Sequence, residues 1–108
     1  MADEAPFKEA KLDEVRRLID EGYEVVDVRE DNEWNAGHVP GARHVVLSSI
    51  LANPAVHKFR ERTVFVCEMG ERSAVASEMA VALGTADVVN FRGGTRAWRE
   101  AGLPLEKP

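Results

Sequence analysis

Cys67 is the only cysteine of the sequence, and it stands in the segment VFVCEMGERS, residues 64–73. Val64, Phe65 and Val66 form an apolar run of the kind that makes a buried strand, and the cysteine closes it. Glu68, Met69, Gly70 and Glu71 follow as a short loop, and Arg72 and Ser73 open a helix-like run. Amides of that loop and of the first helical turn, near residues 69–74, have no acceptor within the helix. They can converge on one concave spot and, with the helix dipole, favour negative charge there. A thiolate in such a place is stabilised relative to its thiol, which is what a cysteine nucleophile requires. Gly70 lets the backbone turn tightly with its amide inward. Arg72 either anchors the loop or adds positive charge near the sulfur, and Ser73 suits a helix cap. A lone free cysteine is more commonly a small buried hydrophobe. Its place at a strand end, ahead of a loop and a helix, favours the reactive reading here.

The two glutamates of the loop complicate an anion site. Turned outward, Glu68 and Glu71 are solvated charges. Lining the rim, they repel small anions and oppose thiolate formation. Their direction therefore decides the substrate class more than the cysteine does.

The thiol has to be positioned by elements that can be read along the chain. KLDEVRRLIDEG places Leu12, Val15, Leu18 and Ile19 on one helical face, with Gly22 as its stop. YEVVDV (23–28), RHVVLS (43–48), TVFVC (63–67) and ADVVNF (86–91) read as strands. Between the first two lies a polar stretch broken by Gly37, Pro40 and Gly41, with room for one helical turn near 31–36. SSILANPAVHKFRER reads as a weak helix interrupted at Pro54. SAVASEMAVALG reads as a helix with Val75, Met79 and Leu83 on one stripe and Gly84 as its cap, and GGTRAWREAGLP as a closing helix ending at Gly102. Strands that are continuous apolar runs alternating with helices imply an α/β fold with a parallel sheet covered on both faces. In such a sheet, ligands bind beyond the carboxyl ends of the strands, where Cys67 stands. Asp27 and Arg29 end the first of these strands near the same edge.

Composition narrows the function classes. The 108 residues suit one domain, 1–108, with a single core. A net charge of −5 argues against a nucleic-acid partner, which needs a basic face. No run approaches membrane-spanning length, and the opening MADEAPFKEAKLDE lacks the apolar core of a signal peptide, so a cytoplasmic protein without a membrane partner is expected. One cysteine allows no internal disulfide, and His38, His44 and His57 lack close metal-ligand spacing, so neither a metal nor another cofactor is expected.

Three stretches in order resemble the rhodanese-like sulfurtransferases in their single-domain form. VVDVREDNEWNAGHVPGARHV resembles the family's early signature, CEMGERS its active-site loop, and NFRGGTRAWREAGLPLE its C-terminal signature. The resemblance implies a rhodanese-like fold, a five-stranded parallel sheet with helices on both faces. It implies that Cys67 carries sulfur as a persulfide, taken from thiosulfate or from a thiol or protein persulfide and passed to a thiol, cyanide or protein acceptor. It also implies that Asp27 braces the active-site loop, that Arg29 pairs with a carboxylate such as Glu33, and that His38 is structural. Trp34 and Trp98 read as packing residues, and Gly93 and Gly94 as turn chemistry.

The same family contains phosphatases and resembles arsenate reductases, whose loops are one residue longer than the six from Cys67 to Arg72. That length favours sulfur transfer. Members that use thiosulfate well often carry basic loop residues, so Glu68 and Glu71 point toward a persulfide donor. A non-catalytic binding or redox-sensing module on the same fold is the remaining alternative.

Overall fold

In the computed structural model, which describes residues 6–108, the apolar runs become the inner strands of a five-stranded parallel sheet. Residues 1–5, the head of the segment read as lacking a signal peptide, lie outside the described residues. In chain order the strands are β1 (Lys8–Ala10), β2 (Glu24–Asp27), β3 (Arg43–His44), β4 (Thr63–Val66) and β5 (Val88–Phe91). The helices are α1 (Leu12–Asp20), α2 (Asp31–Ala36), α3 (Leu47–Ala52), α4 (Glu71–Ala82) and α5 (Gly94–Glu100), with a 3-10 turn at Pro54–Val56. The spatial order β1-β5-β4-β2-β3 puts β4 at the centre. Its carboxyl end, and with it Cys67, is therefore flanked by the ends of β2 and β5.

Alternation along each strand divides two cores. Val64 and Val66 of β4, with Val25, Val89 and Phe91, pack against Val15 and Leu18 of α1 and Trp98 of α5. Phe65 and Cys67, with Val26, Val28 and Val88, pack against Ile50 of α3 and Ala76 and Ala80 of α4. Helices thus cover both faces, as parallel strands without a polar face require.

Four features differ from the sequence reading. The fifth strand is KEA at 8–10, which pairs only with β5 and buries only Ala10. The strand expected at 43–48 is paired only at Arg43–His44. Beyond it the chain still follows β2, with the Val45 and Leu47 amides donating to the carbonyls of Asp27 and Val28, until α3 starts at Leu47. Helix α4 begins at Glu71 rather than Ser73, so Glu71 and Arg72 belong to its first turn. Its buried face is Ser73, Ala76, Ser77 and Ala80, while Val75 and Leu83 of the expected stripe are exposed. These small side chains leave little bulk between helix and sheet, and the Ser77 hydroxyl is satisfied by the Ser73 carbonyl at 2.8 Å.

Candidate active site

The sulfur of Cys67 accepts two hydrogen bonds, from the Gly70 amide at 3.1 Å and from the Ser73 hydroxyl at 3.3 Å. Ser73 is not a helix cap. The cap position of α4 is Gly70 in the left-handed conformation (φ +94°), and no side chain caps it. The serine hydroxyl, one turn into the helix, is directed to the sulfur instead. Cys67 is 1% exposed, so a reagent must present a slim terminal atom at the mouth of the loop.

Helix α5 fixes the loop from behind. The Cys67 carbonyl accepts the Thr95 amide at 2.8 Å and the Thr95 hydroxyl at 3.2 Å, and the Glu68 carbonyl accepts the Arg96 amide at 3.1 Å. The orphan donors of the α5 N-terminus are thereby satisfied by loop carbonyls. In a trans peptide the C=O and the following N–H point opposite ways, so the Glu68 and Met69 amides are turned away from α5. This contact needs a glycine. A Cβ on Gly94 (φ +64°) would stand 2.6 Å from the Cys67 carbonyl oxygen and collide with that of Glu68. Gly94 is therefore a point of close backbone approach rather than turn chemistry alone. At the loop's other end, Asn90 of β5 donates from Nδ2 to the Gly70 carbonyl at 3.0 Å and to Glu9 Oε1 at 2.9 Å.

Asp27 and Arg29 lie beside the loop as a buried ion pair, 0% and 1% exposed. The guanidinium donates to Asp27 from Nε at 3.0 and 3.1 Å and from Nη2 at 2.8 Å. Its remaining reach goes to the Gly37 carbonyl at 2.8 Å and to Glu68 Oε1 at 3.4 Å. Among the hydrogen bonds of the described residues, Asp27 is linked to the loop through Arg29. Among the described residues, the carboxylates that pair with Arg29 are Asp27 and Glu68, not the expected Glu33.

Glu33 instead takes Arg72, in a two-pronged pair of 2.7 and 2.9 Å that ties the first turn of α4 to α2. Oε1 of Glu33 also accepts the Glu30 amide at 3.0 Å, closing a capping box on α2. The hydrogen bonds from Arg72 lower the Glu33 carboxyl to about 2, against a smaller opposing effect of burial. The same pair raises Arg72 above its ordinary value, and the nearby Cys67 sulfur adds to this.

The direction of the two loop glutamates is also fixed. The Glu68 carboxylate is held by Arg99 of α5 at 2.8 Å and by Arg29, and this pairing raises Arg99. Glu71 is exposed and forms no ion pair among the described residues. Met69 is half-exposed, with Nη1 of Arg96 at 3.2 Å from its sulfur. His38 stays structural in its contacts: Nδ1 lies 3.0 Å from the Trp34 carbonyl and its ring stacks on Trp34. Among the described residues, no three His, Cys, Asp or Glu side chains are placed to hold a metal ion. A groove of about 440 Å³ lined by His57, Lys58, Phe59 and Glu61 opens ahead of β4 and β5, at the sheet edge away from Cys67.

The cluster therefore unites Cys67, Gly70, Arg72, Ser73, Asp27, Arg29 and Glu68, and adds Glu33, Asn90, Gly94, Thr95 and Arg99, which the sequence did not single out for these contacts. Asn90 carried a signal, as a polar residue inside the apolar run DVVNF has to find a partner. The others act across long sequence separations that leave no local trace.

Known proteins share this fold. The thiosulfate sulfurtransferase GlpE of Pseudomonas aeruginosa is 31% identical over 93 residues, which are 86% of this chain and 84% of that protein. A rhodanese-related protein of Thermoplasma volcanium superimposes with a TM-score of 0.79 at 27% identity, over 93% of this chain and 98% of that one. A Rhodopseudomonas palustris protein of unknown function, described as a possible tyrosine phosphatase, superimposes with a TM-score of 0.79 at 30% identity, over 93% and 85%. The model of the Rhodanese-like domain matches residues 11–101, and the chain belongs to that family.

Proposed function

We propose that this protein is a sulfurtransferase in which Cys67 carries sulfane sulfur as a persulfide. The observation that carries the reading is the pair of donors, the Gly70 amide and the Ser73 hydroxyl, aimed at one sulfur at the carboxyl end of the central strand. Both stabilise a charge on sulfur that a thiol would not carry. The name of the Pseudomonas relative supports sulfur transfer as the general activity.

The chemistry needs no cofactor. The Cys67 thiolate attacks the outer sulfur of thiosulfate, the sulfur–sulfur bond of the donor breaks, and its electron pair leaves with sulfite. With a thiol persulfide the same attack releases the thiolate of the donor. In either case one sulfur atom stays on Cys67, and a nucleophile such as cyanide or a thiol removes it while the Cys67 thiolate is regenerated. Amides from Glu68 to Ser73 are the donors available to the outer sulfur, which is itself an anion near neutral pH. No second cysteine exists to close a disulfide on the intermediate, so the sulfur has to leave to an external acceptor. A single free thiol suits a reducing compartment such as the cytoplasm.

Intact mass tests the reading. Wild type exposed to thiosulfate or to glutathione persulfide is expected to gain one sulfur atom, removable by cyanide or dithiothreitol, and Cys67→Ser to gain none. Absence of the added sulfur with both donors would sink it.

The Rhodopseudomonas neighbour favours one rival, a cysteine-dependent phosphatase. Such an enzyme needs the loop arginine for the phosphoryl oxygens, and here Arg72 is already committed to Glu33. Hydrolysis of an aryl phosphate, lost in Cys67→Ser, would overturn that argument.

A further inference from the structure

Every arginine whose side chain hydrogen-bonds within or to the loop is paired with a carboxylate: Arg29 with Asp27 and Glu68, Arg99 with Glu68, Arg96 with Glu100 and Arg72 with Glu33. Arg72 is the arginine of the loop itself, and the nearby Cys67 sulfur is among the causes that raise it. Its carboxylate comes from α2, outside the loop, through two short prongs of 2.7 and 2.9 Å. The sulfur is therefore offered neutral donors, an amide and a hydroxyl, while the loop's own arginine is held by a carboxylate. A dianion approaching such a site gains hydrogen bonds but little net attraction, whereas a neutral or singly charged donor loses nothing.

We propose that Glu33 is a positioning residue that sets donor selectivity: by holding and neutralising Arg72, it disfavours doubly charged oxyanion donors such as thiosulfate and leaves persulfides borne on thiols as the preferred donors. The choice of donors rests on the sulfurtransferase reading, but the electrostatic effect does not. Exposed Glu71 adds one further negative charge at the same helix terminus.

Glu33→Gln isolates the charge. The glutamine carbonyl can stand in for Oε1, which accepts both the Glu30 amide and Arg72 Nη1, so the capping box and one prong persist. The Nη2 prong on Oε2 is lost, and the guanidinium charge becomes uncompensated. The first readout is the rate of Cys67 alkylation by anionic iodoacetate divided by the rate with neutral iodoacetamide. The division cancels any change in the thiolate itself. The variant is expected to raise this ratio roughly three- to tenfold at low ionic strength, with the gain falling as salt is added. Glu33→Gln combined with Arg72→Met is expected to return the ratio to the wild-type value. Loading by thiosulfate, relative to cysteine persulfide, which carries one net negative charge, is expected to rise in parallel with the ratio. An unchanged alkylation ratio in Glu33→Gln, or a gain that survives in the double variant, overturns the role of Glu33. A raised ratio without sulfur uptake from either donor in any variant upholds the electrostatic role and overturns the sulfurtransferase reading instead.

Discussion

Gly94 and Glu68 meet backbone to backbone: the amide two residues after Gly94 donates to the Glu68 carbonyl at 3.1 Å, and no Cβ fits on the glycine between them. This contact joins the family-like double glycine of one signature to the cysteine loop of another. It places the start of α5 directly behind the loop, so that carbonyls face the helix and amides face away.

Gly94→Ala is expected to damage both stability and loop geometry. The left-handed backbone alone costs about 1 kcal/mol or more for a residue with a Cβ, and the collision with the Cys67 and Glu68 carbonyls adds to it. Urea unfolding should show a loss of about 2 kcal/mol or more, and sulfur loading should fall further than stability accounts for. Wild-type stability together with wild-type loading would show that the close approach is not needed.

Arg29→Met should be among the most damaging changes. It leaves Asp27 charged, wholly buried and without its cation, a situation that costs about 3–5 kcal/mol. It also removes the link from Asp27 to Glu68 and to the Gly37 carbonyl. Arg29→Lys keeps the charge but not the fork and should lie between wild type and Arg29→Met. Equal urea midpoints for all three proteins would show that the pair contributes little.

Ser73→Ala separates the sulfur from the fold. Its hydroxyl donates to Cys67, and the fold needs only the backbone of that residue to continue α4. Removing it is expected to change unfolding free energy by about 1 kcal/mol or less, yet to slow iodoacetamide alkylation of Cys67 at neutral pH by about three- to tenfold. An unaltered rate would mean that the hydroxyl does not stabilise charge on the sulfur.

What the sequence made legible, and what it hid, follows from where the information lies. β4 and Cys67 were readable because three consecutive buried residues, Val64, Phe65 and Val66, form an unbroken apolar run ended by a thiol. KEA was not, since an edge strand paired on one side buries one alanine and shows no period. The stripe on α4 misled because Val75 and Leu83 are the larger side chains, whereas the helix meets the sheet through serine and alanine. Loop residues were found by their neighbourhood to the cysteine. Their partners were not, because Glu33 lies 39 residues from Arg72 and Asn90 lies 20 from Gly70. Glu33 was noticed but assigned to Arg29, a choice between two cations that only three-dimensional proximity decides.

The Glu33–Arg72 pair gives a pH signature of its own. The carboxyl is lowered in the folded protein from 4.5 to about 2, chiefly by the hydrogen bonds from Arg72. A group whose pKa is lower folded than unfolded stabilises the fold fully above its unfolded value, here above about 4.5. That contribution is lost as the pH falls from there toward 2, where the folded carboxyl also takes up a proton. Glu33→Gln imitates the protonated group at every pH. Urea midpoints of the variant should therefore lie below those of wild type at pH 7, and the gap should close progressively between about pH 4.5 and 2. Because both side chains are partly solvated, the gap should also shrink in high salt, unlike that of the buried Asp27–Arg29 pair. No gap at any pH would show that the carboxylate acts on stability through its capping hydrogen bond alone, which glutamine shares. A gap that stays constant across this range would show that the carboxylate's charge on Arg72 does not contribute.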